Sequence, residues 1–160
     1  MNYEQLAERL LPGEYPDLAS FETRYPPRNL PKGAQVTRLA PSPTGFIHLG
    51  NLFVAIANER IAHQSGGKLF LRIEDTDLKR KVDGAVEAVI AALDYFDIRF
   101  DEGAEIGGDD TYAPWYQRQR AEIYRAYVKN LIRRGRAYPC FCTEEELAAL
   151  RDEQTANKEI

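Results

Sequence analysis

Apolar positions recur along the chain at two spacings, and each spacing predicts a type of element. Helical spacing covers residues 3–11, about 49–64, a stretch after Asp83, about 117–134 and 144–154. In the stretch after Asp83, one apolar face is formed by Val86, Val89, Ile90 and Leu93. Short apolar runs, which predict strands, cover residues 34–40, 68–74 and 137–142. Residues 13–33 are rich in proline and Tyr/Arg pairs, and we expect an extended surface segment there because proline fixes φ and lacks a backbone donor.

The order of these elements indicates the fold class. Strand, helix, strand, helix is typical of an α/β protein with a parallel sheet and right-handed crossovers. Capping residues support the predicted helices: Asp83 can cap the helix that follows it, and Thr143 with Glu146 forms a capping box for the last helix. Ligands of such sheets lie beyond the carboxyl ends of the strands, so we expect chemistry at residues 41–51 and 74–80.

Composition narrows the class of protein. Of 160 residues 44% are hydrophobic and the net charge is −4, so the chain as a whole is not a non-specific nucleic-acid binder. No apolar run approaches the roughly 18 residues of a membrane span. The N-terminal residues lack the basic stretch followed by an apolar stretch that is typical of a signal peptide. Cys140 and Cys142 are too close for a secreted disulfide framework. We therefore expect a cytoplasmic protein without a membrane partner.

The loop after the first strand lacks two common nucleotide motifs. Gly45 and Gly50 have P-loop spacing, but Asn51 and Leu52 stand where lysine and serine or threonine are needed, and a dinucleotide fingerprint needs more glycines. What remains is His48 beside Gly50 at the start of a helix, where free N–H groups and the helix dipole attract anions. This arrangement predicts binding of a nucleotide phosphate.

Three carboxylates, Glu74, Asp75 and Asp77, follow the second strand. Crowded carboxylates repel one another, so we expect each to have a partner. From the residues alone, a metal site and a solvated turn both stay open.

A basic stripe marks the predicted helix at residues 117–134, opposite an apolar arc formed by Ile123, Tyr124, Tyr127, Val128 and Leu131. It is either the solvated outer face of a packed helix or a contact for an RNA backbone. An α-helix turns by ~100° per residue, which places the basic residues of the stripe on one side: Arg118, Arg125, Lys129, Arg133 and Arg136.

Two of these motifs together resemble a known family. Residues 43–52, Pro-Thr-Gly-Phe-Ile-His-Leu-Gly-Asn-Leu, are similar to the signature of class I aminoacyl-tRNA synthetases, with Asn51 where the family has a second histidine. Residues 38–45, Arg-Leu-Ala-Pro-Ser-Pro-Thr-Gly, and 72–77, Arg-Ile-Glu-Asp-Thr-Asp, resemble the bacterial glutamyl branch. Asparagine can donate a hydrogen bond to phosphate but cannot become cationic.

The resemblance implies the first half of a Rossmann-type catalytic domain at residues 34–136. An extension at 1–33 would precede it, and the start of an inserted acceptor-stem-binding domain at 137–160 would follow. The implied reaction is activation of L-glutamate by Mg-ATP and transfer to the 3′ end of tRNA(Glu). We expect the 160 residues alone not to charge tRNA, because the family's Lys-Met-Ser-Lys-Ser signature is not among them.

The resemblance also implies site residues. Those for glutamate are Arg38, Ala40, Ser42 and Glu74. Those for ATP are Ser42, Thr44, His48, Gly50 and Asn51, of which the last three are the expected catalytic residues. For tRNA, Arg80 matches a residue near the 3′ end, and the basic stripe adds Arg118, Arg125, Lys129 and Arg133.

Some expectations concern what the chain lacks. Cys140 and Cys142 are at most half of a zinc site, which needs four ligands, and the histidines are His48 and His63 alone. We interpret His63 as a partner of a helix dipole and expect a monomer. Two alternatives stay open: a glutamyl-queuosine tRNA(Asp) synthetase, and a non-catalytic paralogue that binds tRNA or protein.

Overall fold

A computed structural model describes residues 2–45, 47–80 and 82–158. Phe46, part of the synthetase-like segment, lies outside them. In chain order the elements are α1 (Tyr3–Leu10), α2 (Leu18–Arg24), β1 (Val36–Leu39), α3 (Leu49–Gln64), β2 (Lys68–Leu71), α4 (Ala85–Tyr95), β3 (Glu102–Gly103), α5 (Ala121–Arg133) and α6 (Glu144–Asn157). Two 3₁₀ turns, Asp110–Tyr112 and Gln117–Arg120, lie between β3 and α5.

The three strands form one parallel sheet in the order β1-β2-β3. Arg38 of β1 lies opposite Phe70 of β2, and Phe70 lies opposite Glu102 of β3. Helix α3 connects β1 to β2, and α4 connects β2 to β3, as expected for crossovers between parallel strands. The predicted α/β class with a parallel sheet is confirmed.

The core lies against alternate residues of β2 and its continuation. Leu69, Leu71 and Ile73 are fully buried, and Leu93 of α4 joins them. The near-continuous apolar run of β2 suits a central parallel strand, which is covered on both faces. The predicted apolar face of α4 is also confirmed: Val89 and Leu93 are buried, while Val86 and Ile90 pack beside the cluster half-buried.

Two glycines allow close approaches around β2. A Cβ on Gly67 would lie 1.8 Å from the carbonyl oxygen of Gln35, which no side chain tolerates. Gly103 has φ +141°, and a Cβ there would lie 2.6 Å from the carbonyl oxygen of Leu71. Both glycines therefore let neighbouring backbones approach β2 at their pairing distance.

The third strand is not where the sequence predicts it. Residues 137–142 form no strand, and Tyr138 and Phe141 are more than four-fifths exposed, so the apolar run there does not enter the sheet. The strand beside β2 is instead Glu102–Gly103, two residues whose types disfavour strands. Pairing with β2 and burial of Glu102 override that local preference.

Three smaller expectations also need correction. The segment 13–33 is not extended throughout, because α2 forms within it and buries Phe21. Asp83 does not cap α4, whose N-cap is Gly84 in a left-handed conformation. The predicted long helix starts with a 3₁₀ turn at Gln117 and becomes α-helical only at Ala121.

The chain divides into two compact units, Glu14–Tyr127 and Met1–Gly13 with Val128–Ile160. The first holds the sheet and its crossover helices. In the second, α6 begins at the predicted capping box, where Thr143 and Glu146 exchange backbone-to-side-chain hydrogen bonds of 2.8 and 3.2 Å. None of the described helices combines the length and apolarity needed to cross a membrane. The boundaries expected at residues 33 and 136 remain predictions.

Candidate nucleotide and amino-acid site

The loop that follows β1 lines a cavity of 380 Å³ at the carboxyl edge of the sheet. Backbone hydrogen bonds fix this loop: Glu74 N–H donates to Pro41 O at 3.0 Å, and Val82 N–H donates to Pro43 O at 2.9 Å. The loop is thus held against the exit of β2. Its lining residues include Ala40, Ser42, Thr44, His48 and Asn51, five of the predicted site residues.

His48 is the N-cap residue of α3, with extended backbone angles of φ −114° and ψ 168°. Its N–H donates to Asn51 Oδ1 at 3.2 Å, so Asn51 closes the first turn of the helix. Because that oxygen is an acceptor, the amide NH₂ of Asn51 is the group that can donate to a ligand. The helix N-terminus, His48 and this amide therefore supply donors beside one cavity.

Gly50 contacts the imidazole of His48. A Cβ at Gly50 would lie 3.0 Å from Cε1 and 3.1 Å from Nδ1 of His48. Its backbone φ is ordinary, so glycine is favoured at this position by the ring and not by backbone conformation. A larger residue would have to displace the imidazole from its place at the helix start.

Arg38 and Glu74, predicted to bind the amino-acid substrate, contact each other. Arg38 Nη1 donates to Glu74 Oε1 at 2.9 Å, and Arg72 Nη2 donates to the same oxygen at 3.2 Å. The side chains of Arg38 and Glu74 are 39% and 32% exposed, so solvent and small solutes can reach the pair. A cation and an anion are thus available side by side.

Arg72 was not among the predicted site residues. The signal for it is present in the sequence, because residues 72 and 74 are two apart in an extended segment and so face the same side. Its guanidinium places a second positive charge on Glu74.

We call the segment of Glu74, Asp75 and Asp77 after β2 the acidic exit, and its other two carboxylates also have partners, as expected. Asp75 accepts the backbone N–H of Arg118 at 2.9 Å. Asp77 accepts from Arg80 Nε at 2.6 Å, and hydrogen bonds from the Arg80 side chain and backbone hold the pKa of Asp77 below its usual value. Within the described ranges no group of three His, Cys, Asp or Glu residues could hold a metal ion.

The predicted basic stripe on α5 divides into two parts. Lys129 is only 4% exposed, and its ammonium donates to Gly13 O at 2.7 Å and pairs with Glu8 at 2.8 Å. Arg133 pairs with Glu4 and Glu8. Both cations are engaged by carboxylates of the chain, so the stripe is partly a packed face, and its contact with RNA stays a prediction. Arg125 is exposed.

The apolar arc of α5 is likewise not the buried side. Ala126, Lys129 and Ile132 are the buried residues of this helix, spaced three apart. The aromatic and aliphatic residues expected to pack are about two-fifths exposed: Tyr124, Tyr127, Val128 and Leu131.

Cys140 and Cys142 are exposed free thiols. The backbone N–H and thiol of Cys142 donate toward Cys140 and lower its pKa, and the same contact raises the pKa of Cys142. The expectation of at most half a zinc site stays a prediction.

His63 has a more specific environment than a helix dipole. Its Nδ1 lies 3.1 Å from Glu59 and its Nε2 lies 3.0 Å from Asp101. Burial opposes the charged imidazolium, but the hydrogen bonds to Asp101 and Glu59 outweigh it and raise the pKa of His63. Lys68 also contacts Asp101, at 3.2 Å.

Residues 35–160 match the family model for the catalytic domain of class I tRNA synthetases (E and Q). The chain belongs to this family. The synthetase-like fold implied by residues 38–52 and 72–77 is thereby confirmed, although the role of each site residue stays a prediction.

Curated relatives and solved structures agree with this family assignment. The chain is 56% identical over 158 residues to a glutamate–tRNA ligase of Acetivibrio thermocellus and 52% identical over 160 residues to one of Clostridium perfringens. These matches cover 98% and 99% of the chain but 29% of each relative. A glutamate–tRNA synthetase structure from Elizabethkingia anophelis matches with TM-score 0.67 at 39% identity, covering 78% of this chain and 25% of that one.

A second solved structure concerns the amino-acid site. It is a glutamate–tRNA ligase from Elizabethkingia meningosepticum in complex with its amino acid, with TM-score 0.65 and 40% identity. It covers 77% of this chain and 24% of that chain. The chain thus spans about a quarter to three tenths of the length of the relatives it matches.

Proposed function

We propose that this chain carries the part of a glutamate–tRNA ligase that binds L-glutamate and the phosphates of ATP. The observation that supports it most is the Arg38–Glu74 pair, joined at 2.9 Å at the carboxyl edge of the sheet. Glutamate carries one ammonium and two carboxylates, so it offers a partner for each member of the pair. Relatives named glutamate–tRNA ligases support the same substrate.

Glutamate would enter by exchanging ion-pair partners. Its ammonium takes the place of Arg38 on Glu74, and a carboxylate of the substrate receives the guanidinium of Arg38 in a two-pronged contact. Arg72 remains on Glu74 throughout. Each charge keeps an opposite charge, so binding avoids the cost of a buried unpaired ion. Ala40 and Ser42 of the adjoining loop complete the proposed amino-acid site.

ATP would occupy the neighbouring cavity. Its 380 Å³ lies within the range of about 300–1,000 Å³ found for small-molecule sites. The α-phosphate would lie at the start of α3, where His48, the Asn51 amide and the helix N–H groups donate to its oxygens, with Gly50 leaving room for the imidazole. Ser42 and Thr44 line the loop side.

The proposed reaction needs no covalent nucleophile from the chain. A carboxylate oxygen of glutamate attacks the α-phosphorus of ATP, forming glutamyl-adenylate and releasing pyrophosphate. A terminal hydroxyl of tRNA then attacks the glutamyl carbonyl and releases AMP and a proton. Catalysis would come from positioning and from donors aimed at the charge that develops on the phosphate.

Magnesium would arrive as part of Mg-ATP. The described residues offer no cluster that could hold it, and Glu74, Asp75 and Asp77 are engaged by other groups. Mg²⁺ commonly relies on nucleotide phosphates for part of its coordination, so the substrate itself supplies ligands. No protein-held metal is needed in this proposal.

For tRNA we retain Arg80, Arg118 and Arg125 as proposed contacts. Lys129 and Arg133 are not retained, because Glu4 and Glu8 neutralise them and their side chains are only 5% and 39% exposed. Arg80 also pairs with a carboxylate, Asp77, but its side chain is 74% exposed. We place the activity in the cytoplasm, and we expect a monomer. Queuosine-linked and non-catalytic alternatives gain no specific observation from the geometry.

Titration of the isotope-labelled chain tests the proposal. L-Glutamate should shift the NMR signals of residues 38 and 72–75, and ATP should shift those of the loop and the start of α3. Glu74→Gln should weaken glutamate binding about 10- to 100-fold, since a hydrogen bond to a charged group is worth about 1.5–3 kcal/mol.

The matched control is Glu153→Gln, which makes the same chemical change on exposed α6. It should leave glutamate binding as in wild type. Equal weakening by both variants, or no glutamate-dependent shift in the wild-type chain, would overturn the proposed function.

A further inference from the structure

A short N-terminal segment, residues 25–28, is fastened to the segment that precedes α5. The hydroxyl of Tyr25 donates to Ala113 O at 3.1 Å, and the hydroxyl of Tyr112 donates to Pro26 O at 2.8 Å. The two tyrosines thus reach across in opposite directions. We call residues 25–28 the strap and residues 112–118 the strapped segment.

Arg28 anchors the strap in the sheet. Its guanidinium donates to both carboxylate oxygens of Glu102, with Nη2 2.8 Å from Oε2, and Cζ lies 3.7 Å from the centroid of the Tyr112 ring. Glu102 is only 3% exposed, so its charge depends on this partner. A two-pronged, stacked guanidinium fixes position more tightly than lysine could.

Arg120 adds a second fastening. Its Nη1 donates to the carbonyls of Tyr112 and Pro114 at 3.1 and 3.0 Å, and its Cζ lies 5.3 Å from the centroid of the Tyr25 ring. The same cation therefore contacts both the strap and the strapped segment. Tyr25 of the strap therefore lies beside the arginine that binds the carbonyls of the strapped segment.

The strapped segment in turn holds the acidic exit on both sides of Glu74. Ile73 N–H donates to Trp115 O and Gln117 N–H donates to Ile73 O, each at 2.9 Å. One residue beyond Glu74, Asp75 accepts the backbone N–H of Arg118 at 2.9 Å.

A second route runs through Arg72. Arg72 lines a cavity of 210 Å³ together with Tyr25, Arg28 and Arg120, and its Nη2 also donates to Glu74. Loosening the strap would therefore free both the backbone and the side-chain partner of Glu74.

We propose that Arg28 and Tyr25 are positioning residues for Glu74, acting through the strapped segment. They lie outside the predicted glutamate and ATP ligands and act only on where Glu74 stands. The identity of the ligand rests on the proposed function, whereas the positioning itself does not. The strap therefore affects the amino-acid half of the site and not the phosphate half at His48.

The experiment compares Arg28→Gln with Arg99→Gln in the full 160-residue chain. Arg99 is an exposed arginine whose ion-pair partner is Asp97, outside the strap, so it controls for loss of one cation. Amide hydrogen exchange is measured without ligand, and binding of L-glutamate and of a non-hydrolysable ATP analogue is measured by NMR titration.

In Arg28→Gln, exchange at the Ile73, Gln117 and Arg118 amides should accelerate at least about tenfold, while the interior of α3 stays protected. Glutamate binding should weaken about 5- to 20-fold with the ATP analogue changed less than about twofold. Arg99→Gln should match wild type in all three measurements. Unchanged exchange at these three amides, or equal loss of glutamate and ATP-analogue binding, would overturn the proposal.

Tyr25→Phe covers the case in which Arg28→Gln fails to fold. It removes only the hydroxyl that binds Ala113 O, and the same selective pattern should appear at smaller size. Absence of any exchange change in Tyr25→Phe would then count against the strap.

The two proposals fail separately. If the wild-type chain binds no glutamate, the proposed function is overturned, whereas faster exchange around Glu74 in Arg28→Gln still supports positioning by the strap. If glutamate binds and Arg28→Gln changes neither exchange nor affinity, the strap fails and the proposed function stands.

Discussion

At the scale of single residues, Asn51 shows how one side chain can serve structure and binding through different atoms. Its Oδ1 accepts the His48 N–H, which leaves its NH₂ as the donor toward the cavity. Asn51→Asp keeps the acceptor and replaces the donor with a negative oxygen. Structure and binding should therefore respond with opposite signs.

We expect Asn51→Asp to retain or slightly raise stability, by about 0.3–1 kcal/mol, because a carboxylate in the first turn suits the helix dipole. Binding of the ATP analogue should weaken at least about tenfold, because the new charge repels phosphate. Denaturant unfolding and titration would measure the two effects. Gln64→Glu adds the same charge at the opposite end of α3, and a similar loss of ATP binding there would contradict the explanation.

His63 predicts a pH dependence of stability. Its pKa is raised above 6.5 in the folded chain, because bonds to Asp101 and Glu59 outweigh burial. The folded state binds the proton more tightly, so this stabilisation is complete below pH 6.5 and is lost as pH rises through the folded pKa. Urea unfolding at a series of pH values should therefore show falling stability above pH 6.5. His63→Gln should flatten that part of the curve, and an unchanged slope would rule out His63 as its source.

At the scale of elements, the turn that joins the end of α3 to β2 leaves no room for a side chain at Gly67. Gly67→Ala would place Cβ 1.8 Å from Gln35 O, so β1 and β2 must move apart or the turn must open. We expect a loss of about 2–4 kcal/mol in the free energy of unfolding, the range of severe overpacking. Gly45→Ala is the matched control, since nothing lies within 4 Å of its Cβ position. Equal losses in the two variants would disprove the steric account.

Helices and strands whose own residues carry the apolar spacing or the capping residues could be predicted from the sequence. Elements that depend on contacts with residues distant in the chain could not. Helices α3, α4 and α6 have local periodicity or caps, and β2 has a local apolar run. Strand β3 pairs with β2, and its Glu102 meets Arg28, 74 residues away in the chain, so neither contact leaves a local signal. The run at 137–142 has the right residue types but no neighbouring strand to cover it.

The candidate site shows the same division. Residues within one motif, such as His48, Gly50 and Asn51, could be grouped because the helix start brings them together. Arg38 of β1 and Glu74, which follows β2, were assigned to one site only through a family resemblance, and their direct contact was not predicted. The burial of Lys129 could not be read from its helical position, since it depends on Glu8 and Gly13 more than a hundred residues earlier in the chain.

At the scale of the whole molecule, the chain carries an acidic net charge of −4. Uniform attraction for a polyanion such as tRNA is therefore weak, and affinity must come from local cations. Two of the predicted cations, Lys129 and Arg133, are already neutralised by Glu4 and Glu8. Arg80 is likewise paired, with Asp77 at 2.6 Å, although it stays exposed. Three of the five predicted tRNA contacts, Arg80, Lys129 and Arg133, are thus paired with carboxylates of the chain itself.

We expect that the 160 residues alone bind L-glutamate and ATP but do not charge tRNA. The chain spans 29% of the length of the curated relatives it matches, and Lys-Met-Ser-Lys-Ser is not among its residues. Transfer needs the tRNA hydroxyl held beside the adenylate, and small misplacements cost about a hundredfold in rate. Radiolabelled glutamate with purified tRNA(Glu) measures charging directly, with the Acetivibrio thermocellus ligase as the positive control. Robust glutamyl-tRNA formation by the chain would show that the residues for activation and transfer are all present, whereas glutamate binding without charging would show that binding needs fewer of the relatives' residues than the complete reaction does.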